Sequence, residues 1–370
     1  MAEDEIEVVY RLRTDPAGLD ARIEALLLEQ TVEMSRTALR TAHVREHFVG
    51  RVIAAEPVGA GEFLVALAQP AEAAAGDPAQ LLNVLFGNCS LQADVELEDV
   101  RVPAPLVRKL RGPRFGTAGL RQLTGVRGRA LAASALKPMG LSVGEAASLC
   151  RTLALAGLDV VKDDHGLADH PRCPFAERVR ACLAATAEAA EATGRRALYV
   201  PNLIGPPAAV LRQAREADEL GAEAVMVSPM LIGLPFFNEL VGDLGRPVLA
   251  HPAFGGAQRI SPLALLGRLF PLFGADAVIY PNTGGRFSYG PEVCSGIARA
   301  LREPDAAIAP ALPVPAGGIR MENTAAVLGS YGADAMLLIG GSLLESPDAR
   351  TLLARARQFV AAVHDFPYTP

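Results

Sequence analysis

The chain contains no tryptophan, and aromatic residues make up only 5% of its 370 residues. Proteins that bind single-stranded nucleic acid stack the bases on aromatic side chains, and those that bind a duplex present a basic surface. Here 41 acidic residues outnumber 35 basic ones, and the net charge is −6. These features argue against a nucleic-acid partner, and we expect none.

The chain also lacks any uninterrupted apolar run of the ~18 residues that a membrane-spanning helix needs. Its first residues are acidic and contain no apolar core of the kind found in a secretory signal. The five cysteines are scattered and form no CxxC pair, which argues against a thiolate zinc site and a disulfide framework. We therefore expect a protein of the reduced cytoplasm with no membrane partner.

Residues 1–118 are predicted to form a small α+β domain. Strand-like and helix-like stretches alternate there in the order βαββαβ, which is typical of the ferredoxin-like arrangement. The two helices are expected to begin at the Asp-Pro pairs 15–16 and 77–78. The glycine-rich and basic segment 111–119 is predicted to be the linker. The four strands are predicted at residues 7–13, 43–58, 62–70 and 94–103.

Residues 119–370 are predicted to form a catalytic (β/α)8 barrel. Short apolar runs without polar alternation are typical of parallel strands buried on both faces, and here they alternate with amphipathic helical stretches. Eight such units match the barrel in number and size. An open doubly wound sheet is the alternative, but the GxGxxG turn expected after its first strand is missing. The eight runs lie at 130–138, 158–164, 197–202, 224–230, 247–252, 277–282, 312–318 and 335–341.

Polar and glycine residues follow the apolar part of almost every run, where a barrel places its active site. We therefore expect one site at the carboxyl ends of the strands, formed from these residues: Ser134, Lys137, Lys162, Asp163, Asp164, His165, Asn202, His251, Asn282, Gly317, Gly318, Gly340 and Gly341.

Several of these residues have two interpretations from the sequence. Asp164 and His165 are candidate metal ligands, joined by Lys162 if this lysine carries a carbamate, but a simple Lys–Asp salt bridge fits equally well. Lys137 is either a proton donor with a depressed pKa or a lysine that extends to solvent. His251 either binds a substrate hydroxyl or relays a proton, or it caps its strand.

The two glycine pairs, 317–318 and 340–341, end the seventh and eighth runs, which favours a phosphate site. Ordinary turn glycines are the alternative. Asn202 and Asn282 each follow a proline, so they too can be turn residues.

Five sequence motifs belong to the predicted domains: GLDVVKDDH at 157–165, ALKPMGLS at 135–142, FGNCS at 86–90, PVPAGGI at 313–319 and LLIGG at 337–341. These motifs resemble those of the ribulose bisphosphate carboxylase (RuBisCO) large subunit. They resemble even more closely those of the RuBisCO-like proteins, which share its fold without fixing carbon dioxide. The resemblance extends from about residue 5 to the end of the chain and includes the order of the domains.

The resemblance implies a role for each matching residue. Carbon dioxide would convert Lys162 to a carbamate that binds Mg2+, or Mn2+ or another divalent ion, together with Asp164. Lys137 would transfer a proton, and His251 would match the histidine of the fifth strand. Arg286 would take the place of the mobile lysine after strand six. The implied assembly is a homodimer with the site at the subunit interface. The remaining implied substrate-binding residues are Glu29 and Asn88 from the partner's small domain, Asn202, and the phosphate-binding Gly317, Gly318, Gly340 and Gly341.

The departures from the carboxylase pattern exclude carbon dioxide fixation. His165 replaces the signature glutamate, Met139 a lysine, Pro252 an arginine that grips a second phosphate, and Ile279 a histidine. The expected activity is decarboxylation of a phosphorylated 3-oxo sugar acid of the 3-oxo-isoapionate 4-phosphate type, with Lys137 protonating the enediolate. Two alternatives stay open: an isomerase or enolase acting on a methylthio-sugar phosphate, and a non-catalytic binding protein.

Overall fold

The computed structural model describes residues 4–304 and 307–368. The N-terminal part contains a four-stranded antiparallel sheet in the order β2-β3-β1-β4, which confirms the ferredoxin-like prediction. Apolar side chains alternate along β1, so one face of the sheet packs against α1 and α3. The elements are β1 (Glu5–Arg13), α1 (Leu19–Thr31), α2 (Ala42–His47), β2 (Arg51–Gly59), β3 (Glu62–Pro70), α3 (Pro78–Phe86) and β4 (Val95–Arg101).

One strand prediction in this part was wrong at its start. Residues 43–58 were expected to form a single strand, but α2 occupies its beginning and β2 starts only at Arg51. The Thr41 hydroxyl accepts a hydrogen bond from the Val44 backbone N–H, so a side chain caps this helix. The predicted helix starts hold, because Asp77 caps α3 and Asp15 caps the short 3-10 turn that leads into α1.

The second sheet is a parallel barrel, and all eight predicted runs contribute to it. Its nine strand segments follow one another in the order β7-β6-β5-β13-β12-β11-β10-β9-β8. The two end segments, β7 and β8, are consecutive in the chain and separated only by Pro201, so they are two halves of the third predicted strand. The segments are β5 (Leu131–Leu136), β6 (Val160–Asp163), β7 (Leu198–Val200), β8 (Asn202–Leu203), β9 (Val225–Val227), β10 (Val248–Ala250), β11 (Ala277–Pro281), β12 (Leu312–Ala316) and β13 (Met336–Ile339).

Helices follow the strands and surround the barrel. Each long helix turns an apolar face toward the strands and joins the main core. The described α-helices that follow β4 in the chain are α4 (Ala104–Val107), α5 (Gly116–Thr124), α6 (Val143–Leu155), α7 (Phe175–Thr193), α8 (Pro207–Glu219), α9 (Pro229–Ile232), α10 (Leu234–Asp243), α11 (Phe270–Leu272), α12 (Pro291–Arg302), α13 (Thr324–Tyr331), α14 (Gly341–Leu344) and α15 (Ala349–His364).

The segment predicted as the linker is tied firmly to the barrel. The buried Asp276 carboxylate accepts hydrogen bonds from the backbone N–H groups of Phe115 and Gly116, and Arg114 donates to backbone carbonyls at 241–244. The last residues of the segment belong to α5 and not to a free linker. A domain boundary at 118/119 remains our proposal. None of the helices in the described parts of the chain combines the length and apolar character needed to cross a bilayer.

Candidate active site

A cluster of charged side chains lies where β5 and β6 end. Lys137 Nζ lies 2.7 Å from Asp164 Oδ1, and His165 Nδ1 lies 3.3 Å from the same oxygen. Burial by itself would raise the pKa of Asp164. The hydrogen bonds from His165 and Lys137 and the charge of Lys162 outweigh it and hold this pKa well below its usual value. Asp164 is therefore an anion at neutral pH. Among the described residues its lysine partner is Lys137 and not Lys162, the lysine of the salt bridge expected from the sequence, and metal binding by Asp164 and His165 stays a prediction.

Lys162 is buried beside this anion. It is only 2% exposed, and its Nζ donates a hydrogen bond to the backbone carbonyl of Asp163 at 2.8 Å. Burial lowers the pKa of Lys162 to about 8. The negative charge of Asp164 opposes this shift, and the positive charge of Lys137 adds to it. The neutral form of the Lys162 amine is therefore more populated than that of an ordinary lysine at the same pH, and only the neutral amine reacts with carbon dioxide.

His251, which follows β10, faces the cluster from across the barrel mouth. Its ring stacks on that of His165, with the ring centroids 4.1 Å apart and the planes inclined by 12°. Nδ1 accepts a hydrogen bond from the Ala253 backbone N–H at 3.1 Å, so the proton of the neutral ring is on Nε2. Burial, together with the charges of Lys162 and His165, keeps the pKa of His251 well below its usual value. His251 is therefore a neutral N–H donor.

Asp163 points away from the cluster and has a structural role. It is fully buried and accepts hydrogen bonds from Arg178 Nε at 3.0 Å, Tyr199 Oη at 2.7 Å and the Asn202 backbone N–H at 3.1 Å. Burial raises its pKa, against the opposing effect of Arg178. Successive side chains of a strand point to opposite sides. This alternation puts Lys162 and Asp164 on one side and Asp163 on the other.

Two buried side chains hold the loop that follows β6. Arg178 Nη1 donates to the carbonyls of Ala168 and Cys173, and Asn202 Nδ2 donates to those of His165 and Leu167. The Asn202 amide cannot be flipped, because its oxygen would then face two carbonyls. Asn202 Oδ1 is buried and has no hydrogen-bond partner among the described residues. Sequence reasoning missed Arg178, although an arginine on the apolar face of α7 is unusual.

The two predicted phosphate-binding glycine pairs follow the neighbouring strands β12 and β13. At Gly318 an added Cβ would lie 2.6 Å from Gly285 N and from Thr283 O, so glycine is required there by the loop that follows β11. At Gly317 and Gly340 an added Cβ would meet no described atom within 4 Å. Packing thus explains the glycine at 318 but not those at 317 and 340, and phosphate binding by the two pairs remains a prediction.

The remaining predicted site residues make no hydrogen bond or ion pair with the charged cluster among the described residues. Arg286 is exposed on the loop after β11 and makes none of the hydrogen bonds or ion pairs found in the described residues, so it is not brought into the cluster. Asn282 accepts a hydrogen bond from Tyr331 Oη at 2.9 Å. In the N-terminal part, Asn88 Nδ2 donates to Glu29 Oε1 at 3.1 Å. The contribution of this pair to a partner's site stays a prediction.

The cluster fits a divalent metal only if Lys162 is modified. Across residues 4–304 and 307–368, no three His, Cys, Asp or Glu side chains are grouped so as to hold an ion. Asp164 and His165 provide two donors, and an unmodified ammonium group is not a ligand. A carbamate on Lys162 would add anionic oxygen, the type of ligand that Mg2+ prefers. The prediction of a metal therefore depends on the prediction of the carbamate.

Known proteins similar to this chain belong to the family that the sequence motifs resemble. The model of the ribulose bisphosphate carboxylase large chain, catalytic domain, matches residues 116–241. The chain is 44% identical over 361 residues to ribulose bisphosphate carboxylase-like protein 1 of Rhodopseudomonas palustris, covering 97% of this chain and 98% of the relative. It is 41% identical over 362 residues to 5-methylthioribulose-1-phosphate isomerase of Rhodospirillum rubrum, covering 97% and 96%.

A third relative and two solved structures extend the comparison. The 2,3-diketo-5-methylthiopentyl-1-phosphate enolase of Geobacillus kaustophilus is 35% identical over 347 residues, covering 88% of this chain and 83% of the relative. The crystal structure of a Rubisco-like protein from Rhodopseudomonas palustris superposes with a TM-score of 0.91 at 42% identity, covering 100% of both chains. A rubisco-like protein (MtnW) from Alicyclobacillus acidocaldarius gives 0.87 at 31% identity, covering 98% and 95%.

Proposed function

The chain belongs to the RuBisCO-like proteins of the ribulose bisphosphate carboxylase large-chain superfamily, and from this premise we propose that it is an isomerase or enolase. In this proposal it moves protons at the carbon atoms next to the carbonyl group of a phosphorylated ketose. The substrate is of the 5-methylthioribulose 1-phosphate type, the class named for the Rhodospirillum rubrum relative. The observation that carries the proposal is the contact of Lys137 with Asp164, beside a neutral His251.

Lys137 is the proton-transfer group in this proposal. Lys137 Nζ takes the proton from a carbon next to the carbonyl, and the ammonium group returns a proton to the neighbouring carbon. Asp164 stabilises that ammonium group, because its oxygen lies 2.7 Å from Lys137 Nζ. His251 donates its Nε2 proton to a substrate oxygen that becomes more negative during the transfer. Asn202 Oδ1 accepts a hydrogen bond from a substrate hydroxyl.

The proposal includes a carbamate on Lys162 and a divalent ion, with Mg2+ favoured over Mn2+. The neutral Lys162 amine adds carbon dioxide and loses one proton, which gives the carbamate anion. The carbamate, Asp164 and His165 would hold the ion. When bound, such an ion acts as a Lewis acid that lowers the cost of negative charge on the substrate oxygens. The glycine pairs at 317–318 and 340–341 would bind the phosphate, and Arg286 would approach the substrate when its loop moves.

Decarboxylation, the first expectation from the sequence, receives less support than the isomerase or enolase alternative. Two of the relatives reported above are named an isomerase and an enolase, and both names specify a methylthio-sugar phosphate. None of the names reported above specifies loss of carbon dioxide. Decarboxylation of a 3-oxo sugar-acid phosphate therefore remains a prediction that the assay must test. A non-catalytic role fits poorly with a buried lysine whose pKa is about 8 beside an anionic Asp164.

We also propose that the active unit is a homodimer in which Glu29 and Asn88 complete the site of the partner. The two side chains are hydrogen-bonded to each other at a distance of 3.1 Å, and Asn88 is exposed on the N-terminal domain. The exposed Asn88 side chain is therefore available to a neighbouring molecule.

The test follows proton exchange directly. The purified protein is incubated in D2O with Mg2+, bicarbonate and 5-methylthioribulose 1-phosphate, and proton NMR follows deuterium incorporation next to the carbonyl. We expect incorporation with the wild-type protein and a loss of at least about 100-fold with Lys137→Met. Lys109→Met, which changes an exposed lysine outside the barrel strands, is the matched control. Carbon dioxide release from 3-oxo-isoapionate 4-phosphate without deuterium exchange would support decarboxylation instead.

A further inference from the structure

Exposed apolar side chains gather around the mouth of the barrel. Four of the large apolar side chains that are exposed in the described residues lie in segments directly after barrel strands: Met139, Leu231, Phe254 and Phe287. Apolar surface in water is unfavourable, and where several such side chains gather around a site they mark a ligand or a partner. Two of the four are close in the chain to residues of the charged site: Met139 follows Lys137 by two positions, and Phe254 follows His251 by three.

Met139 lies beside the Lys137–Asp164 pair. It follows Lys137 by two residues, and its sulfur packs on Gly166, where an added Cβ would overlap with it. The same added Cβ would lie 3.5 Å from Asp164 Oδ2, so the thioether and the carboxylate lie on one small surface. Met139 is nevertheless 61% exposed. A flexible, polarizable thioether thus borders the reacting groups without being part of the core.

Phe254 lies on the opposite loop and is unfavourable there in two ways. Its backbone is in the left-handed region, with φ of 67° and ψ of 1°, and its ring is 63% exposed. A non-glycine residue in that region is strained, and an exposed ring does not repay the strain by packing. The loop begins at His251, which stacks on His165, so the loops that carry Phe254 and Gly166 meet at this stack.

We propose that Met139 and Phe254 form an apolar subsite that binds the end of the substrate opposite its phosphate. The subsite selects phosphorylated ketoses that carry a thioether or alkyl group at this end over those that carry a hydroxyl group. A hydroxyl placed between a thioether and a phenyl ring loses its hydrogen bonds to water, whereas a methylthio group gains contacts with both. This inference rests on the proposed function, since it names the recognition element for that class of substrate.

The experiment compares two ligands that differ only at carbon 5. Isothermal titration calorimetry with Mg2+ and bicarbonate measures binding of 5-methylthioribulose 1-phosphate and of ribulose 1-phosphate. It is done for the wild-type protein, Met139→Ala, Phe254→Gly and the control Val58→Ala, an exposed apolar residue of β2. Deuterium exchange gives kcat and KM separately. We expect about tenfold weaker binding of the methylthio ligand in each subsite variant, and less than about twofold change for ribulose 1-phosphate.

Phe254→Gly separates recognition from structure. Glycine adopts the left-handed conformation without strain, so this variant should be as stable as the wild-type protein or more stable, while its selectivity falls. The proposal would be overturned if the variants bound both ligands equally more weakly, or if the binding of neither ligand changed. It would also be overturned if the wild-type protein did not prefer the methylthio ligand. So would a smaller dimer fraction in analytical ultracentrifugation with ligand preference unchanged, because the two side chains would then contact a second subunit.

The two proposals fail in different ways. Binding that is selective for the methylthio ligand, and lost in the two variants, without any proton exchange would refute the proposed function and support the subsite. Proton exchange on the methylthio substrate with unchanged selectivity in both variants would support the function and refute the subsite.

Discussion

Replacing Arg178 by methionine should destabilise the protein more than any exposed arginine replacement, because it leaves a buried carboxylate without its counter-ion. Arg178 and Asp163 are both 0% exposed, and their contact is 3.0 Å. Removing one partner of a buried ion pair typically costs about 3–5 kcal/mol. The change also removes the donor to the carbonyls of Ala168 and Cys173, and methionine fills most of the volume, so a cavity contributes little.

The pH dependence gives this prediction a sign. Burial already raises the pKa of Asp163, and loss of the guanidinium group raises it further. A carboxyl group with a raised pKa in the folded state stabilises the protein at low pH, and this stability is lost as the pH rises through that pKa. The free energy of unfolding of Arg178→Met should therefore fall further below that of the wild-type protein at about pH 8 than at about pH 5.

Urea denaturation followed by circular dichroism measures the effect. Arg151→Met is the control, since Arg151 and Glu188 form an exposed pair that should contribute at most about 1 kcal/mol. The double change Arg178→Met/Asp163→Asn should recover part of the loss, because no buried charge remains. A loss for Arg178→Met no greater than that of the control, or one independent of pH, would refute the reasoning.

Four further outcomes follow from the site. At fixed dissolved carbon dioxide, a 13C carbamate signal should increase as the pH rises through about 8 and should be absent in Lys162→Ala; a signal that survives this change would assign the carbamate elsewhere. Gly318→Ala should lower the thermal midpoint more than Gly317→Ala, since only its Cβ meets backbone atoms 2.6 Å away; equal midpoints would contradict the packing of the loop. When Lys162→Ala and Asn88→Ala subunits are mixed, hybrid dimers should regain activity because each contains one intact shared site. No recovery of activity, with subunit exchange verified, would contradict a shared site. His165→Glu should bind Mg2+ more tightly.

Most of the fold could be predicted from the sequence because parallel barrel strands are buried on both faces. Their apolar runs stand out from the amphipathic helices, and all eight were found. The cluster could be predicted for a related reason: the carboxyl ends of parallel strands meet, so Lys137 and Asp164 come together although they are 27 positions apart. The start of the strand expected at residues 43–58 could not be predicted correctly, because the side chain of Thr41 caps a helix there.

The hydrogen-bond partners of Asp163 could not be predicted, because the run of polar residues at 162–165 does not show which distant side chains contact each of them. Alternation along β6 points Asp163 away from Lys162 and Asp164. Nothing in the neighbouring sequence indicates that Arg178 and Tyr199 donate hydrogen bonds to it. The requirement for glycine at 318 was hidden for the same reason, since it comes from a loop that follows a different strand. Contacts between elements that are distant in sequence are the part that needs the structure.

The His165→Glu change distinguishes a metal ligand from a proton-transfer group. His165 Nδ1 lies 3.3 Å from Asp164 Oδ1, so a glutamate here adds a second carboxylate beside the first. Without metal the two negative charges repel each other, and with Mg2+ both provide the oxygen ligands that this ion prefers. We therefore expect Mg2+ to raise the thermal midpoint of the variant at a lower concentration than for the wild-type protein, measured without substrate. If His165 only holds the ion, deuterium exchange should persist at saturating Mg2+. If it moves a proton, exchange should be lost even there, and an unchanged Mg2+ dependence of the thermal midpoint would show that residue 165 does not face the metal.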